Sequence, residues 1–278
     1  MKNVFVAAPI VFARDLTDRS YLWREAVAVL AFCMLSGAVY AFNDVLDIEA
    51  DRAHPTKRFR PIAAGQFSKR AALITSGVLA AIALGGCLAL HWQLAVWGGL
   101  YFTLNLAYSV KLKHVAFLDV LMIATFFVLR VLAGAAAIAV PASAWLLACS
   151  GLLALYLALG KRAHELSWAQ TSGKETTTTR AALAGYRLST LRYAMFAIGL
   201  ATSAAYVAYT LDHQRVAEFG TDRLVYSAPF VVLALVRFAY LALWRPKDES
   251  PTEAMLRDPW FLLDLAAATA TVLYIIYG

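Results

Sequence analysis

The chain has 278 residues, of which 61% are hydrophobic and only 15% charged, and its net charge is +7. Soluble proteins carry about 25% charge, so a soluble globular domain is excluded, and the basic surplus reads as membrane topology rather than nucleic-acid binding. The three cysteines, Cys33, Cys87 and Cys149, lie in apolar runs without metal-ligand spacing, which excludes a disulfide framework.

Apolar segments are predicted at 3–13, 21–42, 70–91, 93–109, 115–139, 142–160, 189–211, 224–243 and 259–277. They make an all-α polytopic membrane protein, taken as one domain over 1–278. The first segment falls short of the roughly 20 residues a span needs. Arg14-Asp15 follows it where a signal peptide would place small residues for cleavage. The expectation is a short first helix, the remnant of one that starts upstream of Met1.

The second segment leads into Asn43-Asp44-Val-Leu-Asp47-Ile-Glu-Ala-Asp51. On a helix Asn43, Asp47 and Asp51 repeat every four residues and Asp44 lies three before Asp47, so the four are expected to line one face. Carboxylate and amide oxygens suit Mg²⁺, which binds through one or two carboxylates plus substrate phosphates. Pro55 is expected to end the helix near His54. Lys57, Arg58 and Arg60 follow in the loop, where they can reach the same phosphates. Acids for a metal beside cations for phosphate make a diphosphate site; a solvated charged loop is the plain alternative.

Seventeen basic residues fall in the loops after the second, fourth, sixth and eighth segments, against five in the opposite loops. The positive-inside rule places the acidic motif in the cytoplasm. Lys111 and Lys113, after Tyr108, are candidates for a phosphate or for topology anchoring. Asp119 lies one turn into the next segment. Arg130 comes eleven residues later, on nearly the same face and about 16 Å deeper. A charge at that depth faces a cavity or a partner.

The sixth segment runs into Gly160-Lys161-Arg162-Ala-His-Glu165, a second charged constellation in which the bases come first. Lys174 and Arg180, in the Thr-rich stretch 171–180, are weak phosphate candidates, as are Tyr186 and Arg187. Arg237 and Asp264 are expected to form a structural pair inside the membrane. Residues 250–253 are expected to cap a short interfacial helix ending near Arg257 and Asp258. The five histidines show no metal-ligand spacing, and no Walker loop or nucleophile elbow is present.

Asn43-Asp44-x-x-Asp47-x-x-x-Asp51 after a membrane helix resembles the first motif of the UbiA superfamily of intramembrane prenyltransferases. Further matches point to one branch. These are Asn43 to Gly65, Tyr108-Ser109-x-Lys111-Leu-Lys113-His114 with Asp119, Arg130 with Ala133-Gly134, Gly160-Lys161-Arg162-x-x-Glu165-Leu166, and Ser250-Pro-Thr-Glu to Asp258. That branch is the decaprenyl-phosphate phosphoribosyltransferases, and the resemblance runs nearly end to end. It implies nine transmembrane helices around a central cavity open to the cytoplasm, in a bacterial inner membrane. Two departures stand out. The family's residues before a Lys-Asn pair have no counterpart ahead of Lys2-Asn3. The second Asp-rich motif of ordinary UbiA prenyltransferases is replaced by Lys161, Arg162 and the single acid Glu165.

The resemblance implies Mg²⁺-dependent transfer of 5-phosphoribose from phosphoribosyl diphosphate to a polyprenyl phosphate, releasing diphosphate, with the lipid product supplying cell-wall arabinan precursors. It assigns Asp44, Asp47 and Asp51 to catalysis and, with Asn43, to the metal. It assigns Asn43, Lys57, Arg58, Arg60, Lys111, Lys113, Asp119, Arg130, Lys161, Arg162 and Glu165 to substrate. The expected partners are the two substrates and the lipid bilayer, with a homo-oligomer left open and nucleic acid excluded. The alternative within the superfamily is transfer of a prenyl group from a prenyl diphosphate to an aromatic acceptor, which predicts the missing second motif. A transporter is the alternative from another class; it predicts polar residues concentrated at mid-membrane in broken helices.

Overall fold

A computed structural model describes residues 2–12, 18–54, 56–171, 181–244 and 251–277, and among these every regular element is helical. A 3-10 turn, Lys2–Ala7, leads into α1 (Ala8–Phe12). Then come α2 (Arg19–Leu46), α3 (Ile48–Ala53), α4 (Lys69–Leu90), α5 (Trp92–Val110) and α6 (Leu118–Ala137). The rest are α7 (Ala144–Thr171), α8 (Leu188–Leu211), α9 (His213–Phe219), α10 (Ala228–Trp244), α11 (Pro251–Arg257) and α12 (Pro259–Tyr277). Among the described residues, seven helices are long and apolar enough to cross a membrane. The 19-residue α5 is not one of them, because Trp92, Gln93, Asn105 and two adjacent glycines dilute its apolar character.

Eight of the predicted segments fall on helices; the first, 3–13, falls on the Lys2–Ala7 turn and the short α1, with residue 13 outside the described residues. Polar side chains at the starts explain several boundaries, since they satisfy the amides that a helix leaves unpaired. Asp18 accepts from the Ser20 amide at 2.7 Å, Ser68 from Ala71 at 3.1 Å, and Asp212 from Gln214 at 3.1 Å and Arg215 at 3.2 Å. Two expectations are corrected. The helix expected to run unbroken to His54 is interrupted at Asp47 (φ −94°, ψ 10°), which ends α2 and starts α3. The sixth segment continues as helix to Thr171, past its predicted end at 160.

The helices form two compact units. The first holds residues 1–113 and 125–143; the second holds 114–124 and 144–278. In the first, α2 packs on α4 and α5. Ala72, Ser76, Ala80, Ala83 and Cys87 are buried along one stripe of α4. Small residues at this spacing let backbones approach in a membrane, and the Ser76 hydroxyl donates to the Ala38 carbonyl at 2.8 Å. The Lys2–Ala7 turn also packs on α2. Gly134 on α6 makes room for it: a Cβ there would overlap the Val6 carbonyl oxygen and meet Glu25 Oε1.

In the second unit α7 packs on α8 and α10 around Tyr156, Leu159, Leu191, Met195, Leu235 and Phe238. Gly160 again marks a close approach, since a Cβ would overlap the Phe238 ring.

Candidate active site

The acidic motif lies in the first unit. Asn43 and Asp47 are separated by about 40° around the helix axis, and Asp44 and Asp51 by about 20°. The backbone keeps that phase through the interruption, because the Asp47 amide bonds the Asn43 carbonyl at 2.9 Å and the Asp51 amide bonds Asp47 at 2.8 Å. The four therefore divide into two pairs, and a different cation closes each.

Lys113, in the turn after α5, closes the first. Its ammonium donates to Asp47 Oδ1 at 2.7 Å, Asp47 Oδ2 at 3.0 Å and Asn43 Oδ1 at 3.1 Å, while Asn43 Nδ2 donates to Asp47 Oδ2 at 2.9 Å. Arg60 closes the second. One guanidinium nitrogen donates to Asp44 Oδ1 and to Asp51 Oδ2, both at 2.9 Å. The chain after Pro55 folds back to bring Arg60 there. Ile62 joins a small core with Ile48 and Ala72, and Arg52 Nε holds the Ala63 carbonyl at 3.1 Å.

Lys57, Arg58 and Lys111 are exposed, and none is in an ion pair among the described residues. Arg58 lies over the Phe59 ring, 4.8 Å from its centre. Lys57 is near enough to Asp44 for their charges to interact.

Asp119, Arg162 and Glu165 come together in the second unit with Tyr186, which the sequence offers only as a weak phosphate candidate. Arg162 Nε donates to Asp119 Oδ2 at 2.6 Å and its Nη1 to Glu165 Oε2 at 2.5 Å. The Tyr186 hydroxyl donates to Asp119 Oδ1 at 2.5 Å and accepts from the Phe117 amide at 2.6 Å. Phe117 has φ 65°, a left-handed conformation that a bulky residue holds only when its surroundings fix it. Burial, and then the bond to Asp119, push the Tyr186 phenol above its ordinary range. Arg162 is 1% exposed and Asp119 0%. Lys161 is half-buried on the same helix.

Arg130 is buried in the first unit, apart from the acid pairs. Arg237 and Asp264 do not pair as expected. Arg237 instead makes two bonds to Asp258, at 3.0 and 2.7 Å, and Asp258 also accepts from the Phe261 amide at the start of α12. A long arginine reaches toward the helix end, where a capping carboxylate is already fixed. Lys174, Arg180 and Ser250 lie outside the described residues.

The donors of the acidic motif are all hard oxygens, the set Mg²⁺ takes. Among the described residues no three His, Cys, Asp or Glu side chains converge on one metal position. The Arg60 nitrogen, shared equally by Asp44 and Asp51, nevertheless occupies a place that calls for positive charge. The residues fit an ion that one or two carboxylates and a substrate phosphate hold jointly.

Residues 4–263 match the UbiA prenyltransferase family, and the chain belongs to that family. It is 33% identical over 249 residues to a decaprenyl-phosphate phosphoribosyltransferase of Mycolicibacterium smegmatis, covering 86% of this chain and 77% of that protein. It is 34% identical over 277 residues to a protein of the same name from Mycobacterium tuberculosis, covering 98% and 89%. The fold is similar to that of a UbiA homologue from Archaeoglobus fulgidus bound to GPP and Mg²⁺, with a TM-score of 0.66 at 14% identity over the full length of both chains. With its apolar helices, the chain is a multi-pass membrane protein.

Proposed function

We propose that this enzyme transfers 5-phosphoribose from phosphoribosyl diphosphate to a polyprenyl phosphate such as decaprenyl phosphate, releasing diphosphate, and that the phosphoribosyl lipid goes on to cell-wall arabinan precursors. The observation that carries the reading is the ratio of charges around the acidic motif. Each acid pair already has its own cation, and Lys57, Arg58 and Lys111 remain outside any ion pair among the described residues. A donor with a monophosphate and a diphosphate, meeting an acceptor that is itself a phosphate, uses that excess. The active site faces the cytoplasm of a bacterial inner membrane.

An oxygen of the acceptor phosphate forms a bond to the anomeric carbon. The bond from that carbon to the diphosphate oxygen breaks, and its electron pair leaves with diphosphate. The sugar ring carries oxocarbenium character between the two. The acceptor is an anion at neutral pH, so no general base has to remove a proton. Catalysis then rests on position and on stabilising developing charge. Asn43, Asp44, Asp47 and Asp51 would hold Mg²⁺, which when bound neutralises the leaving diphosphate. Arg60 and Lys113 exchange their carboxylates for diphosphate oxygens as the donor enters, and Lys57 and Arg58 cover it from the loop. Lys111, Lys161 and Arg162, with Asp119 and Glu165, are proposed to serve the substrate phosphates or to hold the groups that do.

The second reading, prenyl transfer from a prenyl diphosphate to an aromatic acceptor, is favoured by the fold likeness to a homologue bound to GPP. Against it, Asp119 and Glu165 are both taken by Arg162. The test supplies purified protein with Mg²⁺, radiolabelled phosphoribosyl diphosphate and a polyprenyl phosphate. Label should enter the organic phase, EDTA should stop it, and Asp47→Asn should abolish it in a folded protein. Consumption of a prenyl diphosphate with an aromatic acceptor instead would move the chain to the second reading.

A further inference from the structure

Arg130 on α6 is 4% exposed, and among the described residues its guanidinium bonds only neutral groups. Its Nε donates to Asn3 Oδ1 at 2.9 Å, Nη1 to the Phe126 carbonyl at 3.0 Å and Nη2 to the Tyr101 hydroxyl at 2.8 Å. The Tyr101 ring lies beneath it, 4.7 Å away. Ser36 ties the arrangement together, 3.1 Å from the Tyr101 hydroxyl and 3.3 Å from Asn3 Oδ1. A guanidinium has five N–H donors, and three are used here. Among the described residues no carboxylate pairs with it. Glu25 of α2 is also buried in the first unit and packs at Gly134, one turn further along α6, and among the described residues neither of its oxygens has a hydrogen-bond partner. A buried, uncompensated cation in a membrane helix is costly unless an anion completes it.

A polar track leads from this cation to the acid pairs within the same unit. On α2, Ser36, Tyr40 and Asn43 follow one another at four and three residues, on the face that continues to Asp47. On α5, Tyr101, Asn105 and Tyr108 do the same and lead toward Lys113. Tyr40 is 58% exposed and lies within electrostatic range of Tyr101 and Arg130, so a ligand can reach it beside the cluster. From Asn43 to Ser36 the track is about 10 Å long, which suits a pentose with phosphate groups at both ends. Hydroxyls and amides line it, where a polyprenyl tail would require apolar walls.

We infer that Arg130, with Tyr101, Asn3 and Tyr40, is a phosphomonoester site, and that it takes the 5-phosphate of the sugar donor whose diphosphate end lies at Asn43 and Asp47. This rests on the proposed reaction for its donor and on the uncompensated guanidinium for its anion. The same chemistry would suit the phosphate of the lipid acceptor, so the test separates the two.

Ribose 5-phosphate is titrated into the purified full chain by calorimetry, which requires no turnover. Binding should weaken roughly 10–100-fold in Arg130→Gln, the loss expected for a charge-assisted contact, and less in Tyr101→Phe and Arg130→Lys, which keep the packing and the charge respectively. In transfer assays the same variants should raise the KM for phosphoribosyl diphosphate and leave the KM for polyprenyl phosphate unchanged. Equal ribose 5-phosphate affinity in wild type and all folded variants overturns the site. A rise in the lipid KM alone overturns the donor assignment and gives the site to the acceptor. Arg130-dependent binding in a protein that transfers no phosphoribose would uphold the anion site and sink the reaction.

Discussion

Arg60 and Arg162 each sit between two carboxylates, yet the Arg60 side chain is 39% exposed and that of Arg162 only 1%. Arg60 comes from a loop folded back on α3, while Arg162 projects from the middle of a long packed helix. A guanidinium that water reaches can trade a carboxylate for a phosphate at little cost, because both states are solvated. One buried with Asp119 and Glu165 cannot leave without stranding charge in a medium that does not solvate it. Similar chemistry thus serves exchange in one cluster and fixation in the other.

The largest expected effect tests the fixed cluster. Arg162→Ala leaves Asp119 charged, buried and facing only Tyr186, a change that costs about 3–5 kcal/mol. Thermal unfolding in detergent should show it as a large drop in Tm. The pair Arg162→Met with Asp119→Leu removes the two fully buried charges, leaves Glu165 (24% exposed) to water, and should recover much of the loss. A single variant as stable as wild type would break the comparison, since Arg162 would then hold nothing together.

Tyr186 sharpens the same point on a smaller scale. Tyr186→Phe strands the Phe117 amide and one lone pair of Asp119, worth about 1–3 kcal/mol where groups are buried. The phenol also makes a pH signature. Its folded pKa is raised, so the stability it lends is fully present below the unfolded value of about 10 and is lost as pH rises through the folded value. Wild-type Tm should fall above about pH 10 more steeply than the Tm of Tyr186→Phe. Parallel curves would mean that the hydroxyl is not held as the structure has it.

The helices were legible because apolar runs of about 20 residues have few other uses, and eight of the predicted segments land on one. The acidic motif was legible as a spacing, but its division was not. Which acid meets which cation depends on tens of degrees around α2 and on where the loop brings Arg60, and neither is local in sequence. Arg162 read as one more cation at a membrane edge, because nothing in its neighbours reveals that Asp119 and Tyr186, more than twenty residues away on either side, enclose it. The track of Ser36, Tyr40, Tyr101 and Asn105 carried a readable signal, polar residues at three- and four-residue steps. It was overlooked because single hydroxyls and amides are common in apolar helices, and only their convergence on Arg130 makes them a set. Arg237 was paired with Asp264 by proximity in the membrane, but the capping carboxylate of Asp258 was already oriented to receive it.

The smallest expected effect on stability carries the most weight for the exchangeable cluster. Arg60→Ala removes two contacts at 2.9 Å; the Asp51 side chain is only 5% exposed, but water can enter where the 39%-exposed Arg60 stood, so the loss should stay well below that of Arg162→Ala. Phosphoribosyl transfer should nevertheless collapse, because the same group is proposed to follow the diphosphate as it leaves. Arg60→Lys separates position from charge. It keeps a cation beside Asp44 and Asp51 but cannot span both with one planar fork, so it should restore the KM for the donor more than kcat. A stable Arg60→Ala with wild-type turnover would show that the loop cation only neutralises its acids. An Arg60→Ala that unfolds like Arg162→Ala would erase the distinction between the two clusters, and exposure would then say nothing about which charges the enzyme is free to move.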